Sequence, residues 1–72
     1  MTNQTKIAVL EEMMEIDRGT LQENALLAEL EEWNSLAKLS LIALMDEEFG
    51  KKISADQMKA FVLVKDILNF MG

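Results

Sequence analysis

Few side chains in this 72-residue sequence could do chemistry. The sequence has no Cys and no His, which removes thiolate nucleophiles, disulfides, zinc sites of the usual kind and the commonest general base. One of the few reactive groups left is the Ser35 hydroxyl in Asn34-Ser35-Leu36, at the start of a predicted helix. Asn and Ser are preferred N-caps, so capping alone explains the tripeptide. A helix N-terminus nevertheless favours negative charge, so a phosphodiester on Ser35 would be stabilised there.

Two other kinds of site have less support. The carboxylates of Glu31, Glu32 and Asp46 could serve an acid–base enzyme, but charge runs are usually solvated faces, and no second group or pocket is identifiable from the sequence. Glu47 and Glu48 lack the spacing of an EF-hand calcium loop. We therefore expect no catalytic residue, no bound metal and no enzymatic activity.

Charge narrows the class of partner. Thirteen acidic residues against seven basic ones give a net charge of −6, the wrong sign for a protein that wraps a phosphate backbone. We expect no nucleic acid and instead basic protein partners, although solubility alone would also explain the charge. No apolar run approaches a membrane span, and residues 1–10 lack the basic start and apolar stretch of a signal peptide, so cytoplasmic residence is expected.

The segments that position Ser35 are predicted to be helices of a single domain covering residues 1–72. Proline is absent, and three glycines divide the chain into helix-sized pieces without strand-like alternation. The predicted helices span about 3–16, 35–49 and 54–59, with a last one carrying Val64, Ile67, Leu68 and Met71 at helical spacing. Residues 20–34 are predicted to form a long loop with one helical turn, tethered by its leucines.

Two lines of side chains run along the predicted 35–49 helix. At 100° per residue one line is apolar and is predicted to face the core: Ile42, Met45 and Phe49. The other line begins apolar and then turns small and polar: Leu36, Ser40, Ala43 and Glu47. We expect this second line to face solvent or a partner, with Leu36 as a contact.

In their order along nearly the whole chain, these features resemble the acyl carrier protein family. Trp33-Asn34-Ser35-Leu36 stands where that family has an Asp-Ser-Leu motif after a long loop. Leu41 to Phe49 is similar to the family's apolar run ending in acidic residues and Phe, and Ile53 and Val64-Lys65-Asp66-Ile67-Leu68 follow. The resemblance implies a four-helix bundle of acyl carrier type, with three longer helices, one short helix and a long loop between the first and second.

The resemblance also implies the site. Ser35 would carry 4′-phosphopantetheine, transferred covalently from coenzyme A by a phosphopantetheinyl transferase. Partner enzymes would contact Leu36, Ala43, Asp46, Glu47 and Ile53. The protein would be a monomer that carries acyl or related intermediates as thioesters. It would deliver them to acyl-transferring or biosynthetic enzymes with basic docking surfaces, in fatty acid or a specialised biosynthetic pathway.

Departures from the family pattern affect which enzymes would recognise the protein. Asn34 replaces the usual Asp, and Lys38 and Ser40 stand where many members are acidic. Such a surface is expected to select different enzymes from those of a general fatty-acid carrier, unless these are ordinary solvated side chains. The cargo stays open, because fatty acyl, aminoacyl and polyketide groups would all use the same serine.

The competing interpretation belongs to another class of protein. It is an unmodified helical interaction module that binds a partner through the acidic face of the second helix. Helical periodicity does not separate the two, but replacement of Ser35 by Ala does, because it would abolish carrier function and leave simple binding intact.

Overall fold

In the computed structural model, which describes residues 2–72, four α-helices follow one another along the chain. They are α1 (Asn3–Met14), α2 (Ser35–Phe49), α3 (Ala55–Ala60) and α4 (Val64–Met71), with a 3₁₀ turn at Leu27–Glu29. Residues 2–72 contain no strand, although Leu26 and Leu63 form an isolated antiparallel bridge. The predicted all-α fold is therefore confirmed. None of the helices in 2–72 is both long and apolar enough to cross a membrane.

Local signals set the ends of α2 and the start of α3. Asn34 caps α2, because its Oδ1 accepts the backbone N–H of Ala37 at 2.9 Å. Gly50 ends the helix in the left-handed region, with a φ of 63° that glycine adopts at little cost. The Ser54 hydroxyl accepts the backbone N–H of Gln57 at 3.1 Å and so opens α3. The predicted bounds of α2 are confirmed.

α1 ends two residues earlier than predicted. Glu15 lies in the left-handed region with a φ of 58°, and the N–H of Ile16 donates to the carbonyl of Glu11 at 2.9 Å. The N–H of Glu15 also donates to the carbonyl of Glu12 at 3.2 Å. These two bonds form a Schellman motif, in which glycine normally takes the left-handed position. The apolar pattern continues to Ile16 although the helix does not.

The hydrophobic core lies between α1, α2 and α4, with support from the long α1–α2 connection. The largest fully buried side chains are Leu10, Leu27, Leu41, Met45, Val64, Ile67 and Leu68. Burying each one stabilises the fold by about 1.5–3 kcal/mol relative to exposure. All four apolar positions predicted for the last helix are buried, because α4 has a single apolar stripe and the chain can satisfy it in only one orientation.

The predicted core face of α2 is wrong in part. Met45 is buried, but Ile42 is 39% exposed and Phe49 is only half-buried. The buried line instead runs through Ala37, Leu41 and Met45. Because α2 is apolar around most of its circumference, its periodicity allows several orientations. Packing against α1 and α4 decides between them.

A buried carboxylate holds the start of the α1–α2 connection. The side chain of Glu11 is only 2% exposed, and its Oε2 accepts the backbone N–H of Gly19 at 2.8 Å and of Leu21 at 3.0 Å. A buried carboxylate is stable only when hydrogen bonds replace its hydration, and two backbone donors supply them here. The connection is thereby fixed against α1, and Leu21 is placed in the core.

Backbone pairing with the α3–α4 junction holds the second half of the connection. The N–H of Leu27 donates to the carbonyl of Val62 at 2.9 Å, and the N–H of Val64 donates to the carbonyl of Ala25 at 3.1 Å. The N–H of Lys65 donates in turn to the carbonyl of Glu23 at 2.9 Å. The predicted tethered loop with one helical turn is confirmed, and its tether is polar as well as apolar.

We predict that Glu11→Ala lowers the free energy of unfolding by about 1–3 kcal/mol, because it leaves the buried N–H of Leu21 without an acceptor. Urea denaturation followed by circular dichroism measures the change. The exposed neighbour provides the control, since Glu12→Ala is expected to stay within about 0.5 kcal/mol of the wild type. Equal midpoints for Glu11→Ala and Glu12→Ala would contradict this role.

Asp66 closes the start of α4. Its Oδ2 accepts the backbone N–H of Leu63 at 2.9 Å and of Val62 at 3.0 Å. These two hydrogen bonds lower the pKa of Asp66 below its usual 3.8, and the bond from Leu63 has the larger effect. Because the folded-state pKa is depressed, the stabilisation is complete above the ordinary pKa and is lost as the pH falls through the folded value.

We predict that Asp66→Asn and Asp66→Ala both reduce the loss of stability on acidification from about pH 5 to about pH 2, because neither side chain titrates. At neutral pH, Asp66→Asn is expected to be the more stable of the two, since its amide oxygen still accepts one backbone N–H. Urea midpoints across this pH range test both statements. A wild-type acid response in Asp66→Ala would exclude Asp66 as a contributor.

Candidate functional site

Ser35 is the first residue of α2, and its side chain is exposed. The hydrogen bond that caps the helix comes from Asn34, whose Oδ1 accepts the N–H of Ala37. Capping therefore explains Asn34 and not Ser35. The hydroxyl lies at the surface beside the unsatisfied backbone donors of a fifteen-residue helix.

A cation and an aromatic ring lie next to this hydroxyl. Lys38 follows Ser35 by three positions, so the two side chains are neighbours on the helix surface. The Nζ of Lys38 lies 5.9 Å from the centroid of the Trp33 ring, within the range of a cation–π contact. The first turn of α2 has no acidic residue. The surroundings of Ser35 therefore combine a positive helix terminus and one ammonium group with the carboxylates of Glu31 and Glu32, which line a cavity together with Asn34 and Leu36.

The side of α2 that carries Ser35 also carries most of the predicted partner contacts, and we call it the serine face. At 100° per residue, the exposed residues within about 100° of Ser35 are the following: Leu36, Leu39, Ile42, Ala43 and Asp46. Leu36 is 73% exposed and Leu39 is 64% exposed. Exposed leucines at i and i+3 form an apolar strip with a carboxylate at its far end, which suits protein contact.

The two remaining predicted contacts, Glu47 and Ile53, lie outside the serine face. Glu47 is exposed and lies next to it along the line that contains Leu36. Ile53, in the connection between α2 and α3, is half-buried and packs against the hydrophobic core. Ile53 therefore contributes to the core as well as offering part of its surface.

A groove runs along the contact of α2 with α1, and we call it the α1–α2 groove. One section, of about 430 Å³, is lined by Met13, Met14, Glu15, Glu31, Glu32, Asn34, Leu36, Ala37 and Ser40. The next section, of about 480 Å³, is lined by Val9, Glu12, Met13, Leu44, Glu48 and Phe49. Met13 lines both sections, so the two sections lie on either side of this side chain.

Sequence reasoning missed two parts of this surface. Leu39 is not among the residues predicted to contact partners, although its i+3 spacing from Leu36 is a signal that both lie on one exposed strip. The α1–α2 groove depends on how Met13 and Leu44 meet across two helices, and no local pattern reports that contact. Among residues 2–72 no group of three His, Cys, Asp or Glu side chains is arranged to hold a metal ion.

Comparison with protein-family models, with curated proteins and with solved structures finds no match to this chain.

We predict that Asn34→Ala lowers the free energy of unfolding by about 1 kcal/mol because it removes the cap of α2. Ser35→Ala is expected to change it by less than about 0.5 kcal/mol, since the cap does not use this hydroxyl. Asn34→Asp keeps an acceptor at the cap and should retain the stability of the wild type. Thermal and urea unfolding of the three variants provide the measurements, and a larger loss in Ser35→Ala than in Asn34→Ala would reverse the assignment.

Proposed function

We propose that this protein is an acyl carrier protein that holds 4′-phosphopantetheine on Ser35 and performs no catalysis of its own. The single observation that carries the proposal is the exposed Ser35 hydroxyl at the first residue of α2, left out of the cap by Asn34. The order of helices and the long tethered connection before α2 support it, because both match what the sequence resemblance implies. The proposed fold is accordingly a bundle of acyl carrier type.

The residues around Ser35 fit a phosphodiester. Backbone N–H groups at the start of α2 and the positive end of its dipole favour an anion. Lys38 adds an ammonium group one turn away, and its contact with Trp33 restrains it on this side. No acidic side chain lies in the first turn to oppose the charge. Asn34 meanwhile keeps the helix end formed whether or not Ser35 is modified.

Ser35 would act as the nucleophile toward coenzyme A only within a transferase complex. Its oxygen would form a bond to the phosphorus that bears pantetheine while the phosphoanhydride bond of coenzyme A breaks. Adenosine 3′,5′-bisphosphate leaves, and the hydroxyl proton passes to a base of the transferase. The prosthetic group supplies the thiol for thioester formation, which this Cys-free chain lacks. A flexible tether raises the concentration of cargo near a docked enzyme, so weak docking is sufficient.

The serine face would receive the enzymes that act on the cargo. Leu36 and Leu39 offer apolar contact beside the attachment point, and Ala43 leaves room between them and the acidic end of the helix. Asp46 and Glu47 are exposed there and would pair with basic docking surfaces. The proposed residence is cytoplasmic, and the pathway is fatty acid synthesis or a specialised biosynthesis.

A second candidate function rests on the same exposed leucines. An unmodified interaction module would use Leu36, Leu39 and the neighbouring carboxylates as a binding face, with Ser35 as an unused surface residue. Partly exposed leucines on a helix are typical contacts in helix-mediated association. The two functions differ in whether the Ser35 oxygen is required.

We predict that incubation with coenzyme A and a broad-specificity phosphopantetheinyl transferase adds one phosphopantetheinyl group to the wild type and none to Ser35→Ala. Intact-protein mass spectrometry measures the addition, and peptide mapping locates it. Ser54→Ala is the matched control, since it removes a helix-start serine from α3 and should still be modified.

Asn34→Asp tests whether the residue before Ser35 controls loading, because the resemblance implies that transferases recognise an Asp at this position. Loading of Asn34→Asp but not of the wild type would assign the wild type to a dedicated transferase. Failure of both, with native helicity confirmed by circular dichroism, would contradict the carrier proposal and favour the interaction module.

A further inference from the structure

The second section of the α1–α2 groove, around Leu44, lies on the side of α2 that faces away from Ser35, whereas the first section reaches Asn34 and Leu36. At 100° per residue, Leu44 lies about 180° around the helix from Ser35. The section lined by Leu44 and Met13 therefore lies far from the Ser35 hydroxyl, although Leu44 and Ser35 belong to the same helix. Whatever occupies it would leave the serine hydroxyl accessible.

The dimensions of the groove fit a folded segment of protein. From Asn34 to Glu48 it follows about 21 Å of α2, which is the length of four helical turns. Each section, at about 430 Å³ and about 480 Å³, is large enough to receive several side chains but not the body of a second domain.

The chemistry of its lining is amphipathic. Its second section has an apolar floor made by Val9, Met13, Leu44 and Phe49. Every titratable side chain that lines the groove within the described part of the chain is a carboxylate: Glu12, Glu15, Glu31, Glu32 and Glu48. An apolar floor between acidic margins is complementary to a segment with apolar side chains on one face and Lys or Arg on its flanks.

We propose that the α1–α2 groove docks a basic amphipathic helix of a partner protein. Because the chain itself has a net charge of −6, a second copy would bring like charge to the same margins, and charge complementarity favours a basic partner instead. The inference does not depend on modification of Ser35. It adds to the serine face a second docking surface, which is centred on Leu44 on the far side of α2 and meets the serine face at Leu36.

The probe is a synthetic amphipathic peptide of about fourteen residues, enough for four turns, built from Leu and Lys with the Leu on one face. A Leu/Glu peptide of the same pattern tests the acidic margins, and a Ser/Lys peptide of the same charge tests the apolar floor. Isothermal titration calorimetry on the unmodified protein measures the dissociation constants. Two-dimensional NMR locates the site, with perturbations expected at Val9, Met13, Leu44 and Phe49.

Two double variants that change the net charge equally distinguish binding at the groove from general electrostatic attraction to an acidic protein. Glu12→Gln/Glu48→Gln removes carboxylates from the groove and is expected to raise the dissociation constant of the Leu/Lys peptide about 3–10-fold. Asp46→Asn/Glu47→Gln removes two from the other side of α2 and is expected to change it less than about twofold. All four residues are exposed, so both variants should fold, as circular dichroism verifies.

Several results would overturn the proposal. The first is equal weakening of peptide binding by both double variants. The others are equal binding of the Leu/Glu or Ser/Lys peptide, no binding of the Leu/Lys peptide, or NMR perturbations at Leu39 and Ala43 instead of the groove residues. Concentration-dependent shifts in the groove without peptide would assign it to a second copy of the chain. Competition by an acyl group loaded at Ser35 would assign it to cargo. Ser35→Ala should bind the Leu/Lys peptide as the wild type does, so failure of the carrier proposal leaves this test intact.

Discussion

The position of α2, and with it every feature of the candidate site, depends on the polar tethering of the connection that precedes it. A segment of this length without secondary structure has many unpaired backbone groups and a large conformational entropy. The buried Glu11 carboxylate accepts two N–H groups of the connection. Pairing with the α3–α4 junction satisfies one more N–H group and two carbonyl groups. With the connection fixed at its start and in its middle, the approach of the chain to Asn34 and Ser35 is restrained.

The parts of the fold that could be predicted from the sequence are those governed by local chemistry. Asn34 accepts the backbone N–H of Ala37, three residues away, and Gly50 adopts a backbone conformation that few other residues tolerate. Short stretches of sequence therefore determine both ends of α2. The last helix was equally predictable, because its single apolar stripe allows one orientation. Ser35 could be placed at a helix start for the same reason.

The parts that could not be predicted depend on contacts between distant segments. α2 is apolar on most sides, so the choice of Leu41 over Ile42 for the core is made by α1 and α4. Nothing in the local sequence distinguishes Glu11 from the other twelve acidic residues, because its partners, the N–H groups of Gly19 and Leu21, reach it only in the folded chain. The end of α1 at a left-handed Glu15 is a further case, since glycine is the usual signal.

The distribution of polar groups around α2 bears on how so small a domain could serve more than one partner. Its serine face has the exposed Leu36 and Leu39 with the carboxylate of Asp46 at the far end, and the groove also has apolar side chains beside carboxylates. Both surfaces therefore suit basic partners, and they differ in direction and in shape. Because the buried line runs through Ala37, Leu41 and Met45, the exposed side chains of the serine face can change their contacts without disturbing the core.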